Sequence, residues 1–156
     1  VPLVVEMLLR HENIEVDAAD NQGMTALMLA CSRGSRGGRR RIVELLLGAR
    51  GINVNMTDNS GNTAFIYAAM LGDIEIVNLL LAVEGINVDV TNFKGFTAFL
   101  YACYNCCEEV VRLLLQDERI HVNATDNLGR NAVMLAAEND FTEIIELLQQ
   151  DGRING

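Results

Sequence analysis

The sequence predicts an all-α solenoid, a row of stacked helix-turn-helix units joined by β-turn fingers. Three observations lead there. Four near-copies follow one another along the chain: Asp20-Asn-Gln-Gly-Met-Thr-Ala-Leu, Asp58-Asn-Ser-Gly-Asn-Thr-Ala-Phe, Asn92-Phe-Lys-Gly-Phe-Thr-Ala-Phe and Asp126-Asn-Leu-Gly-Arg-Asn-Ala-Val. Gly61, Gly95 and Gly129 lie 34 residues apart, and the series Ala68, Ala102, Ala136 and Leu45, Leu79, Leu113, Leu147 keep the same spacing. A fixed period of that length marks a solenoid, in which each unit buries its apolar face against its neighbours and not around one centre. Finally, half of the residues are hydrophobic but only 5% are aromatic and none is Trp. Leu, Ile, Val, Ala and Met must therefore build the core, which suits thin helices packed closely.

The period divides the chain into a partial unit, 1–19, and full units at 20–57, 58–91, 92–125 and 126–156. Val5, Val43, Val77, Val111 and Ile145 align, so Val1 to Arg10 reads as a second helix without its first, and the chain begins inside a repeat. In the clearest unit, Thr63 to Leu71 and Asp73 to Leu81 each have helix length, and Gly72 between them suits the left-handed turn that ends a helix. Thr63 is placed to cap the first helix. On the second, Ile74, Val77 and Leu81, flanked by Ile76 and Leu80, form an apolar face at helical spacing, leaving Asp73, Glu75 and Asn78 towards water. Ala68 and Ala69 let a neighbouring helix come close. Between units, Gly85-Ile-Asn-Val-Asp-Val-Thr-Asn-Phe-Lys-Gly is too polar and too rich in Asn and Gly for a helix. Its alternating apolar pair recurs as Ile14/Val16, Ile52/Val54, Ile86/Val88 and Ile120/Val122, so the fingers stack as the helices do.

Two places break the period. From Ala30 to Leu45 the chain is four residues longer than from Ala68 to Leu79, which puts an inserted Arg/Gly loop, 32–41, between two helices. At the other end the sequence stops at Ile154-Asn155-Gly156, where a further finger would start. Terminal caps with polar outer faces are not evident, and the expectation is a fragment of a longer array.

These residues resemble the ankyrin repeat: Asp-x-x-Gly-x-Thr-Ala-Leu, an Ala-rich first helix, Gly, Ile-Val-x-Leu-Leu and a Val-Asn finger, in phase over the whole chain. The resemblance implies an ankyrin-repeat solenoid with a concave surface of finger tips and first helices on which partners bind. The departures are specific. Ala26, Ala64, Ala98 and Ala132 stand where the family's motif has Pro, and Met28, Ile66, Leu100 and Met134 where it has His. Losing a residue preset for the helix start and a polar bridge predicts a looser joint between finger and helix. Cys106 and Asp140 replace the Gly between helices, which predicts strained turns.

Composition removes several function classes. No apolar run reaches the roughly 18 residues that span a bilayer, and no secretory leader is recognisable, so no membrane role is expected. Four Cys, three of them crowded at 103, 106 and 107, make no disulfide framework, and an intracellular setting, cytoplasmic or nuclear, is expected. Cys103-x-x-Cys106-Cys107 is half of a zinc site, but His11 and His121 lie in other fingers, so no metal is expected. Asp20, Asp58 and Asp126 recur in phase at the finger-to-helix joint, the pattern of backbone hydrogen bonding and not of acid–base chemistry. With no phosphate loop or nucleophile motif, no enzymatic activity and no cofactor are expected.

Binding residues are sought where the repeat varies. Met70, Leu71, Phe93, Phe96 and Tyr104 fall on the family's contact positions in the two central repeats, with Lys94 beside them, and are expected to form an exposed apolar patch. Phe65, Phe99, Tyr67 and Tyr101 belong to the helix-start motif and are expected in the core. The second candidate is the Arg-rich insertion, with Arg33, Arg36 and Arg39 in a mobile cationic loop that would attract an acidic segment. The net charge of −9 is split, residues 1–50 carrying seven Arg against six acids (+1) and residues 51–156 five bases against fifteen acids (−10). The expected function is a protein-protein interaction module, acting as a monomer on another protein or peptide. One alternative is a nucleotide or RNA ligand stacked on Phe93 or Phe96 and held by the Arg loop, although the acidic remainder argues against nucleic acid. Another is a structural spacer within a longer array.

Overall fold

A computed structural model describes residues 2–11, 13–33 and 38–154. Among them lie nine helices and no strand: α1 Pro2–Leu9, α2 Ala26–Ser32, α3 Arg39–Leu47, α4 Ala64–Met70, α5 Ile74–Leu81, α6 Ala98–Tyr104, α7 Glu108–Leu115, α8 Ala132–Ala137 and α9 Thr142–Gln150. They pair as α2/α3, α4/α5, α6/α7 and α8/α9, and α1 stands alone as a second helix. First helices α2, α4, α6 and α8 stack in one row, and second helices α1, α3, α5, α7 and α9 in another. The predicted all-α solenoid is the architecture observed.

The first helices are short because each is framed by a fixed start and a fixed stop. Thr25, Thr63, Thr97 and Asn131 are the N-caps, their side-chain oxygens accepting from the N–H of Met28, Ile66, Leu100 and Met134. A left-handed residue follows in three units: Gly72 at φ 68°, and Cys106 and Asp140 each at φ 56°. Only Gly adopts that region without a steric penalty, so the strain expected at Cys106 and Asp140 is present in the backbone.

The core is continuous along the rows. Ala68, Ala69, Ala102 and Cys103 of the first helices are fully buried, and so are Val77, Leu80, Val111 and Leu114 of the second helices. Fully burying one such Val or Leu contributes about 1.5–3 kcal/mol. Phe65 and Phe99 are buried as expected, while Tyr67 and Tyr101 are half-buried with their hydroxyls hydrogen-bonded.

Fingers repeat with little variation. In each, the N–H of the leading acid or amide meets a carbonyl four residues on: Asp20 to Met24, Asp58 to Asn62, Asn92 to Phe96 and Asp126 to Arg130, all at 3.0 Å. Successive fingers are then joined by Asn59 N–H to Gln22 O, Phe93 N–H to Ser60 O and Asn127 N–H to Lys94 O, at 2.9–3.0 Å. That approach leaves no room for a side chain: a Cβ on Gly95 would lie 2.6 Å from the Asn127 backbone nitrogen.

Nearer the helix ends a second ladder links fingers. Asp17 Oδ2 accepts from Asn53 N–H, Asn55 Oδ1 from Asn87 N–H and Asp89 Oδ1 from His121 N–H. Asn55 and Asn123 also donate through Nδ2 to the carbonyls of Gly85 and Arg153. Asp17 has no amide for that second bond, and among the described residues its Oδ1, buried, has no partner.

Two substitutions test this description. Cys106→Gly relieves a left-handed backbone at an exposed side chain and should stabilise the fold by about 0.5–1 kcal/mol in urea denaturation, the relief exceeding the entropy Gly adds to the unfolded chain. Asp17→Asn supplies the missing donor and should raise stability by about 1 kcal/mol at neutral pH; unchanged midpoints would refute either reading.

Candidate partner-binding surface

The surface is built on one side chain per finger. Asp20 Oδ1 accepts from the N–H groups of Gln22 and Met24, Asp58 Oδ1 from Ser60 and Asn62, Asn92 Oδ1 from Lys94 and Phe96, and Asp126 Oδ1 from Leu128 and Arg130, at 2.8–3.0 Å. These in-phase carboxylates are thus structural, closing the turn that carries the finger tip.

A third partner then ties finger to helix. Tyr67 donates its hydroxyl to Asp58 Oδ2 at 2.5 Å, and Asn92 Nδ2 donates at 2.9 Å both to Tyr101 Oη and to Asn62 Oδ1 of the preceding finger. In the last unit Arg130 takes over, reaching Asp126 Oδ2 at 2.8 Å and Glu138 Oε2 at 2.7 Å. In the three units from residue 58 onward the joint expected to be loose for want of Pro and His is therefore held, because Tyr or Arg supplies the lost polar link, and Thr or Asn caps every first helix. Burial pushes the Asp58 carboxyl up, yet the hydrogen bonds from Tyr67 and from the Asn62 and Ser60 N–H groups outweigh it and leave the group below its ordinary value. Tyr67 is pushed up to about 12, by burial first and then by its bond to Asp58.

Finger tips project from this frame. Phe93 is 75% exposed, although its backbone is held on both sides, by Ser60 O behind and by the Asn127 side chain ahead. The same place in the other fingers is Asn21, Asn59 or Asn127. Asn59 and Asn127 donate through Nδ2 to the preceding finger, at Asn21 O and Phe93 O. Phe93 gives up that bond and presents a rigidly mounted ring to solvent.

Phe96 corrects the sequence expectation. It is 6% exposed, with its ring 4.6 Å from that of Tyr101 and 5.8 Å, edge to face, from that of Tyr104. The position is buried in two other units too, at Met24 and Asn62. Phe96 is therefore neither part of an exposed patch nor free to stack on a base; it buttresses Tyr104, which is 39% exposed. Leu71 is 44% exposed, Met70 is half-buried and Lys94 is exposed. Asn105, whose Nδ2 donates to Met70 O at 2.8 Å, braces the ends of α4 and α6 against each other. Among the described residues no sequence pattern pointed to that brace, because one Asn among many carries no periodic signal.

The Arg-rich insertion also differs from expectation. Helix α3 starts at Arg39, so Arg39, Arg40 and Arg41 are helical and not part of a loop. Arg39 is no mobile cation: its guanidinium pairs with Asp73, the N-cap of α5, and donates to Arg33 O. Asp73 sits there because α5 stacks on α3, so the pair links two units. Arg40 is matched by Glu44 and Glu75, and Arg41 by Glu44. Arg33 is exposed and makes no ion pair among the described residues, and Arg36 lies outside them. All four cysteines are free; Cys31 and Cys103 are buried, and burial drives both thiols up. Among the described residues no cluster of His, Cys, Asp or Glu could hold a metal, and no helix is long and apolar enough to cross a membrane.

The Asp58–Tyr67 bond has a pH signature. Asp58 is depressed from 3.8, so its contribution is present above that value and lost as pH falls through the lower folded value. Tyr67 is raised from 10.0 to about 12, so its contribution is complete below pH 10.0 and lost as pH rises towards 12. Tyr67→Phe should cost about 1–2 kcal/mol at pH 7. The gap between parent and variant should shrink at pH 3 and at pH 11; a pH-independent gap in urea titrations would contradict the assignment.

The family model described as Ankyrin repeats (3 copies) matches residues 2–58, 35–126 and 66–155. A search of curated proteins returned no significant match. With four in-phase fingers, capped first helices and two stacked rows already established, the match settles the family: the chain belongs to the ankyrin repeats.

Proposed function

We propose that this chain is a protein-protein interaction module whose partner docks on the finger tips and first helices of the central units. Ankyrin repeats are generally modules of this kind, which supports the class. The observation that carries the location is Phe93: an aromatic ring exposed at a position where the neighbouring fingers use Asn to staple themselves together. Tyr104 and Leu71 extend the apolar surface, Met70 contributes its partly covered edge, and Lys94 sits on the rim.

Exposed aromatics on a fixed backbone lose little conformational freedom on binding, so nearly all of their contact area counts towards affinity. The frame beneath Phe93, closed by Asn92 and bridged to both neighbouring fingers, provides that fixity. The charge available for an acidic segment of the partner is narrower than the run of arginines suggests, since Arg39, Arg40 and Arg41 are already matched. Among the described residues of the two candidate sites Arg33 and Lys94 remain, and as rim charges they would set association rate and salt dependence more than affinity. Four free cysteines fit a reducing intracellular setting for the interaction.

The test is affinity purification from native extract with the parent chain and with Phe93→Ala/Tyr104→Ala. The captured partner should be lost or weakened at least roughly thirtyfold, as for truncation of a hot spot, and Phe93→Ala alone, whose ring is 75% exposed, should weaken capture with an unchanged thermal melt. An unchanged set of partners would remove the patch from consideration and favour a spacer role.

A further inference from the structure

Main-chain hydrogen bonding at the Phe93 finger tip is already committed within the chain. Every N–H from Asn92 to Phe96 is taken: Asn92 by Phe96 O, Phe93 by Ser60 O, Gly95 by Asn92 O, and Lys94 and Phe96 by Asn92 Oδ1, at 2.9–3.0 Å. The carbonyls of Phe93 and Lys94 are taken too, by the side chain and the N–H of Asn127 at 2.8 and 3.0 Å. An extended peptide that adds itself to a backbone edge draws its affinity from open N–H and C=O groups. Those groups are closed to it here, so recognition at this tip falls to side chains.

Two side chains are available. The Phe93 ring is 75% exposed, and one edge of it rests over Gly61 of the finger behind, where a Cβ would come within 3.1 Å of Phe93 Cδ1. That contact gives the ring a preferred orientation. Lys94 beside it is exposed and makes no ion pair among the described residues. The tip pairs on either side, Asn59-Ser60 and Asn127-Leu128, carry no charge. The carboxylates heading those two fingers, Asp58 and Asp126, are buried and already bonded to Tyr67 and Arg130. In a chain of net charge −9, the three successive tips thus present one charge, and it is positive.

We infer that Phe93 acts as a plug: the partner is a folded domain that receives the ring in an apolar pocket, with a carboxylate at the pocket's rim pairing with Lys94. The inference rests on the central-patch reading above and names the kind of partner that patch takes. A projecting ring on a fixed backbone gains most when it is enclosed on both faces, which a pocket does and an extended segment lying across it does not. Enclosure of an aromatic side chain buries roughly 150–250 Å². The ion pair fixes the orientation in which the ring enters and discriminates against a pocket with a basic rim.

The test places the photo-crosslinker p-benzoylphenylalanine at position 93, irradiates the chain in native extract and maps the adduct by mass spectrometry. The domain so identified is then produced alone and titrated against the chain by calorimetry. The adduct should fall within one domain that resists limited proteolysis by itself. Phe93→Ala should weaken binding at least about thirtyfold and Lys94→Glu at least about tenfold. Replacing the acidic residue at the mapped rim by Lys should restore binding to Lys94→Glu, and Lys94→Ala should flatten the salt dependence. Both side chains are exposed, so the thermal melts of the variants should match the parent's. An adduct on a segment that is unfolded by itself, an adduct on a second copy of this chain, or no adduct at all would overturn the inference. So would a Lys94→Glu loss that no rim substitution rescues. The two readings part at Tyr104: if Tyr104→Ala still reduces capture while the adduct falls on an unfolded segment, the central patch stands and the pocket does not.

Discussion

The structure depends on one hydrogen-bonding arrangement made four times: a carboxylate or amide at the head of each finger accepting two backbone N–H groups of its own turn. Without those bonds the buried N–H groups of Asn62 and Phe96 would have nothing to accept them, at a cost of about 1–3 kcal/mol each, and the turns of every finger would lose their closure. With them, the turn becomes rigid enough to stack, and Gly at its corner lets the following finger come into backbone contact. Everything apolar in the solenoid is placed by that spacing, because the fingers and the two helix rows share one translation per unit.

The same arrangement decides where chemistry is available for recognition. In three of the four fingers the side chain four residues after the head group turns inwards, as Met24, Asn62 and Phe96 do, and is lost to the surface. The residue just after the head group turns outwards. There an Asn spans to the neighbouring finger, whereas Phe93 does not and is left on the surface. The contrast between two phenylalanines three residues apart is therefore a matter of turn geometry and not of hydrophobicity.

Electrostatics follow the stacking in a similar way. Arginines that look like a free cationic run in the sequence meet acids once α5 packs on α3: Asp73 for Arg39 and Glu75 for Arg40. In the last unit Arg130 substitutes for the tyrosines of the two preceding ones, pairing with Asp126 and Glu138. Ionic and phenolic groups perform one task in these three units, tying the finger to the first helix where the family's Pro and His are missing.

By itself the sequence determined the family-level architecture, for a physical reason: a period of 34 residues repeats each local signal, and turn, cap and apolar face agree every time. Helix pairs, the capping Thr, the left-handed turns at Gly72, Cys106 and Asp140 and the role of the in-phase acids were all legible from nearest-neighbour chemistry. The break from Asn to Phe at 93 was legible as well, since it departs from the copies on either side. Only the tertiary structure decided which way Phe96 points, that Arg39 is paired and that Asn105 braces two helices. The pairs Arg39–Asp73 and Asn105–Met70 join residues of different units, where the three-dimensional offset of one repeat on the next sets the distance and no local pattern encodes it, while Phe96 is placed by the fold of its own unit against Tyr101 and Tyr104.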